Sequence, residues 1–315
     1  MGTDPLAALA VHQDGVVSRA QALASGLSAR QVEWRVSSGR WVRLYPGVFL
    51  TQPGRDDRRS ANSAAVLACG SGAVLSHWSV AHGLGLTRAV PKLVHVSVPL
   101  TRRVVEPPGV VVHRTVGALD ASQAWQWPPR TSVEQTVIDV AALGTADDAV
   151  AIAALACQRG LTWNEALAAE LGRRARHRWR EVLSEALDDI GGGSHSALEV
   201  RFVRDVVRAH GLPTPRAQRT TSAGTHDAAF DDQKLIVELD GLAYHGDAWS
   251  RTSDSRRDRR SAGVGWLTVR VVWVDVALHA CATALDVGAV LAQRGWAGQV
   301  RACRRRDCVA RGVSS

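Results

Sequence analysis

The hydrophobic and polar positions of this chain change period several times, and each change marks an element. Residues 1 to about 55 begin with a helical period. "PLAALAVHQDG" opens on Pro5, suited to a first helical turn, and stops at Gly15. "SRAQALASG" opens on Ser18, an N-cap type, and stops at Gly26. "SARQVEWRVSSG" runs from Ser28 to Gly39, with Val32 and Val36 one turn apart and Arg30, Trp34 and Arg35 between them. "RWVRLYPGVFL" then gives two short β-prone runs around Pro46-Gly47. Helix, short helix, helix and hairpin is the order of a winged helix-turn-helix. The second of the two close helices is the one that enters a major groove.

Residues 56 to about 190 form a mixed α/β middle region. "RRSANSAAVLACG" and "LSHWSVAHGLGL" predict helices, and "KLVHVSVPL" and "GVVVHRTV" predict strands. "SVEQTVIDVAAL", "ADDAVAIAALACQRG" and "NEALAAELGRRARHRWREVLSEALDDI" predict further helices. His77, His82, His95 and His113 are scattered here at spacings of no standard metal set. The run "RRARHRWR" reads either as a nucleic-acid contact or as a solvated helix face. "GGGSHS", residues 191–196, breaks the last helix and marks a boundary.

From 191 the periods alternate again. "SALEVRFVRDVVRAHG" carries a helical stripe of Leu198, Phe202, Val206 and Val207, with Glu199 at its edge. "RAQRTTSA", "GTHDAAFDD" and "KLIVELDG" read as three strands joined by short turns, an antiparallel meander. An Arg-rich polar helix follows, then the strand "GWLTVRVVWVDV" and a closing helix to about residue 295. Residues 296–315 form a basic tail, read either as a phosphate contact or as a solvated, disordered end.

Composition narrows the partners. The 315 residues suffice for two or three domains, and 46% of them are apolar, so real cores are expected. There are 38 basic and 30 acidic residues, a net charge of +8. Such a surplus favours a polyanion, most simply nucleic acid, with a coding bias toward arginine as the alternative reading. Five cysteines, an odd count without a CxxC pair, and no secretory leader predict a reducing, cytoplasmic setting. The longest apolar runs fall short of the ~20 residues of a membrane helix. No pattern fixes the oligomeric state.

The candidate chemistry lies in the acids of the last domain. Glu199 falls on its first helix, Asp227 in its second strand and Glu238 in its third, with Asp240 two residues on. A hard cation such as Mg²⁺ takes oxygen ligands and keeps waters, so two or three carboxylates suffice. Such an ion polarises a phosphodiester and activates a water.

Two stretches resemble known families. "GVVSRAQALASGLSARQVEWRVSSGRWVRLYPGVFL" resembles the N-terminal winged helix of AbiEi-type antitoxins. "SALE", "HDAAF", "VELDGLAYH", "DSRRDRR" and "GWLTVRVVWVDV" in sequence resemble the PD-(D/E)xK nuclease superfamily, within it the DUF559 branch related to very-short-patch repair endonucleases. That second resemblance implies a restriction-endonuclease-like αβββαβ core, in an overall α/β (α+β) chain. It implies Asp227 and Glu238 as Mg²⁺ (or Mn²⁺) ligands and Glu199 as their assistant. Asp240 stands where the superfamily usually has a lysine, and His245 where the branch often has histidine, as general base or acid. Arg256, Arg257 and Arg270 are candidates for the scissile phosphate, and Arg30, Arg35 and Arg40 for DNA at the winged helix. The resulting expectation is a metal-dependent DNA endonuclease or nickase, for repair or defence. The alternative is an AbiEi-like DNA-binding regulator or antitoxin whose nuclease-like domain is inactive.

Overall fold

The computed structural model describes residues 4–54, 57–115, 126–191, 195–221, 224–240 and 262–312. Contacts divide the chain into two units, Met1–Leu143 and Gly144–Ser315. The expected boundaries near residues 55 and 190 fall inside these units. The chain is mixed α/β, as the patterning predicts.

The first unit begins with α1 (Pro5–His12), β1 (Val16–Ser18), α2 (Arg19–Ala24), α3 (Ala29–Ser37), β2 (Val42–Tyr45) and β3 (Val48–Leu50). Ser18 and Ser28 each close a capping box with the glutamine three residues on, which fixes where α2 and α3 start. The patterning misses β1, whose three residues are too few to show a period. β1 completes an antiparallel sheet in the order β1-β3-β2. Leu6, Val17, Ala22, Val32, Trp41 and Phe49 form the core beneath it.

The helix α4 (Arg58–Cys69) packs on β1 and β3 and on a second sheet, so it serves two cores. Asp14 helps fix it: its carboxylate accepts from Ser63 at 2.7 Å and pairs with Arg59 at 3.2 Å. The second sheet has the order β4 (Val74–Leu75), β5 (Val94–Pro99), β6 (Val110–Thr115), with β5 and β6 parallel. The helices α5 (His77–Gly83) and α6 (Val133–Ala141) complete this unit.

Three of the four scattered histidines meet here. The His77 and His113 rings stack at 3.5 Å between centroids, and His95 Nδ1 lies 2.9 Å from His113 Nε2. Burial, then the neighbouring His113 and Arg58, pull His95 down to about 4. Burial likewise lowers His113. A histidine that ionises near 6.5 when unfolded but resists protonation when folded binds fewer protons in the folded state between those values. Its contribution to stability is therefore complete above about pH 6.5 and declines as pH falls toward 4. Thermal melts of the wild type and His95→Gln across this range are expected to show a Tm gap that narrows on acidification. Parallel pH profiles for the two proteins contradict that expectation.

The second unit opens with α7 (Ala146–Gln158), α8 (Asn164–Arg173) and α9 (Arg180–Gly191). Of the two readings of "RRARHRWR", the helix face does not hold for the whole run: α8 ends at Arg173, and residues 174–179 form a connector. Trp179 anchors that connector by donating Nε1–H to the Gly144 carbonyl at 3.1 Å, and Arg174 pairs with Glu170 at 2.9 Å. A half-buried indole with its N–H satisfied favours a packed connector here over a solvated face.

After α10 (His195–Arg201) the helix widens into a π-helical stretch, Phe202–Arg208. Then come β7 (Arg216–Thr221), β8 (Gly224–Phe230), β9 (Leu235–Asp240) and β10 (Leu267–Val272). The sheet order is β10-β9-β8-β7: β7, β8 and β9 are antiparallel as expected, and β10 lies parallel to β9. β10 is shorter than predicted. The Asp275 carboxylate accepts the Val272 N–H at 3.0 Å and starts a helix, Trp273–Ala277. A carboxylate at the third helical position favours a helix start over continued strand. Trp273 is buried and donates Nε1–H to Asp189 at 2.5 Å. Phe202, Val206, Leu235, Val237 and Val287 are among the side chains that fill the main core.

The basic tail is ordered over residues 296–312. Val300 and Trp296 pack against the main core. Gly288 in the closing helix Ala280–Gln293 makes this approach feasible, because an added Cβ would lie 2.3 Å from Val300 Cγ2. A glycine at a close backbone approach is the physical signature that composition alone hides. His245, Arg256 and Arg257 lie outside the described residues.

Candidate functional site

Two surfaces concentrate the predicted residues. The first is the exposed face of α3. Val32 alone among its residues is fully buried, which fixes the helix against the core. That rotation leaves Arg30, Gln31, Glu33, Trp34 and Ser37 outside. Trp34 is half exposed, and the Arg40 guanidinium sits 4.7 Å over its ring. Such a pair presents a flat cationic surface. Arg35 takes a different place from the one expected: it lies 5.5 Å over the Trp41 ring and donates to the Gln31 carbonyl at 3.3 Å. Of the three predicted arginines here, Arg30 and Arg40 are exposed and Arg35 packs against the wing.

Glu33 was not singled out by the sequence, nor were Arg19 and Arg43. The Glu33 carboxylate bridges Arg19 of α2 at 2.5 Å and Arg43 of β2 at 3.3 Å. The Arg19 hydrogen bond and the two positive charges hold its carboxyl below the usual range, against a smaller contribution from burial. No sequence spacing signals this triad, because its members come from three elements.

The second surface is the end of the sheet where β8 and β9 carry their acids. The pairs Ala217–Ala228 and Arg219–His226 set Gln218 against Asp227. The Ala228–Val237 pair is the last of the β8–β9 ladder, one residue short of Asp227 and Glu238, and Glu238 pairs with Arg270 on β10. Read across the strands the row is Gln218, Asp227, Glu238, Arg270, with Glu238 turned to His226 rather than to Asp227. Glu199 reaches the same row from α10 by accepting a 2.7 Å hydrogen bond from Gln218 Nε2. Asp240 lies 3.5 Å from Arg270 Nη1.

The carboxylates of this row have partners. Asp227 Oδ2 accepts the Leu239 N–H at 2.8 Å, beyond the last β8–β9 pair. Glu238 is buried and lies 2.5 Å from His226 Nδ1, itself fully buried. Burial of a carboxylate beside an imidazole is tolerated because the two share a hydrogen bond. Their donor type suits a hard cation, and two such oxygens are enough for Mg²⁺. Glu199, Asp227 and Glu238 do not converge as a set of three. Among the described residues the group whose ligand atoms do converge is different: His210, Cys281, Cys303 and Cys308.

The comparisons bear on the first surface. Residues 4–52 match the family model of the AbiEi antitoxin, a transcriptional regulator. This stretch covers α1 to β3, the whole winged helix and both sides of the Glu33 triad. The chain is also similar to two uncharacterised proteins of Mycobacterium tuberculosis, from strains CDC 1551 / Oshkosh and ATCC 25618 / H37Rv. Each is 28% identical over 263 residues, which is 79% of this chain and 92% of the relative. Among the described residues, no helix is long and apolar enough to cross a membrane.

Proposed function

We propose that the chain is a DNA-binding regulator of the AbiEi antitoxin type, which docks α3 in a major groove. The observation that carries this reading is the exposed face of α3: Arg30 near its N-terminus and the Trp34–Arg40 stack beside it. N-terminal residues of a recognition helix reach base edges, and the flanking positive charge holds phosphates. The net charge of +8 supports the same partner.

Glu33 tempers that surface by occupying Arg19 and Arg43. Glu33→Gln is expected to tighten binding to DNA of any sequence several-fold and to steepen the salt dependence by about one to two released counterions. Fluorescence anisotropy against salt concentration measures both. An unchanged affinity and slope would place DNA elsewhere than on α3.

A second reading, phosphodiester hydrolysis by the second unit, is favoured by one observation: the transverse row of Gln218, Asp227, Glu238 and Arg270, with Glu199 tied to its end. A divalent ion on Asp227 and Glu238 would supply Lewis-acid chemistry there. The chain's own part is to carry the two carboxylates on neighbouring strands and to bring Arg270 toward a phosphate. Incubating supercoiled, linear and single-stranded DNA with the full chain in Mg²⁺, Mn²⁺ or EDTA tests this reading. Cutting that survives EDTA, or no cutting in any metal, rejects it.

A further inference from the structure

The convergent group in the second unit is built from residues that neither surface uses. It joins four points of the chain: His210 just beyond the π-helical stretch, Cys281 at the start of the closing helix, and Cys303 and Cys308 in the ordered tail. Their ligand atoms all lie within 4.8 Å of one another. Cys281 Sγ is 3.6 Å from Cys303 Sγ, and Cys308 Sγ is 3.8 Å from His210 Nε2. A zinc ion with Zn–S bonds of about 2.3 Å in a tetrahedron sets its sulfurs about 3.8 Å apart. The spacing is therefore that of one ion's ligand shell and too long for sulfurs in a disulfide.

The surroundings prepare each ligand. His210 is fully buried, and its Nδ1 lies 3.1 Å from the Val206 carbonyl. A carbonyl only accepts, so Nδ1 carries the proton and Nε2 turns its lone pair to the cysteines. Cys308 accepts the Cys303 N–H at 3.4 Å.

We propose that His210, Cys281, Cys303 and Cys308 bind one structural Zn²⁺ that fastens the tail to the second unit. Soft thiolates with an imidazole in a tetrahedron select zinc over the hard cations that carboxylates hold. Four protein ligands leave no open coordination position, so the site is structural. Binding converts three thiols to thiolates and releases three protons, leaving the site with one net negative charge. Arg304, Arg305 and Arg306 stand in the loop between two of the ligands, and Arg311 holds that loop by donating to the Cys303 and Arg305 carbonyls.

The test uses the full chain, purified under reduction without chelator. Elemental analysis is expected to find one zinc per chain, and Co²⁺ exchanged into the protein is expected to give a thiolate charge-transfer band and the red d–d bands of a tetrahedral ion. Cys303→Ser is expected to lose most of the zinc, whereas Cys69→Ser, in the first unit, keeps it. Should Cys303→Ser fail to fold, the wild-type Co²⁺ spectrum decides. Substoichiometric zinc with no thiolate band, iron in place of zinc, or zinc retained in full by a folded Cys303→Ser each overturns the proposal.

Discussion

Trp34→Ala is expected to weaken binding to cognate duplex DNA about 10- to 100-fold, the effect of losing about 1–3 kcal/mol of aromatic contact. The ring is half exposed and lies on the α3 face opposite Val32, so its loss removes a contact with the partner and little of the core. Stability is expected to change by no more than about 0.5 kcal/mol, as for most surface substitutions. Arg40→Ala is expected to weaken binding as well, and to lower the salt slope by about one counterion where Trp34→Ala leaves it unchanged. Because Arg40 sits over the Trp34 ring, the double substitution is expected to cost less than the sum of the two. Anisotropy titrations at several salt concentrations, with thermal melts alongside, measure all three variants. Wild-type affinity in both single variants would move the DNA interface off this helix.

Asp227→Asn separates the two readings of the second unit. If the carboxylate row cuts DNA, removing this charge is expected to lower the cleavage rate by at least about a hundredfold, since the ion loses one of two anionic ligands. The amide oxygen of asparagine still accepts the Leu239 N–H, so the middle of β8 keeps its hydrogen bond to β9. Asp227→Ala removes charge and acceptor together and is expected to cost about 1–3 kcal/mol of stability as well. Cleavage assays in Mg²⁺ and Mn²⁺, with urea melts of both variants, tell a lost ligand from a loosened sheet. Asparagine that cuts as fast as aspartate removes the row from catalysis. Under the regulator reading, neither substitution changes DNA affinity.

The parts of this molecule visible in its sequence are those set by local chemistry. Ser18 and Ser28 with their glutamines announce α2 and α3, and Pro46-Gly47 announces the turn of the wing. The apolar run of β9 and the turn before it are legible for the same reason. Glu33 is different: its partners Arg19 and Arg43 come from a separate helix and a strand, and only folding places them together. The pairing of Glu238 with His226 needs the strand register, which no periodicity supplies. The cysteines are hardest, because their ligand geometry spans a helix end, a second helix and the tail, with no short motif between them. The ordered tail was hidden as well, since its arginines read as solvated while Trp296 and Val300 fix it in place.

The π-helical stretch Phe202–Arg208 has a consequence for aim. A π turn holds one more residue than an α turn, so it shifts the angular phase of everything beyond it by about 100°. Leu198, Phe202 and Val206 face the core before and through the shift, and the fully buried His210 follows just beyond it. The extra residue thus works as a dial. It turns a helix that begins as a sheet-packing element into one that ends by pointing an imidazole at three sulfurs. Deleting a single residue between Phe202 and Arg208 would preserve the composition of the helix yet swing His210 off that bearing by roughly a quarter turn.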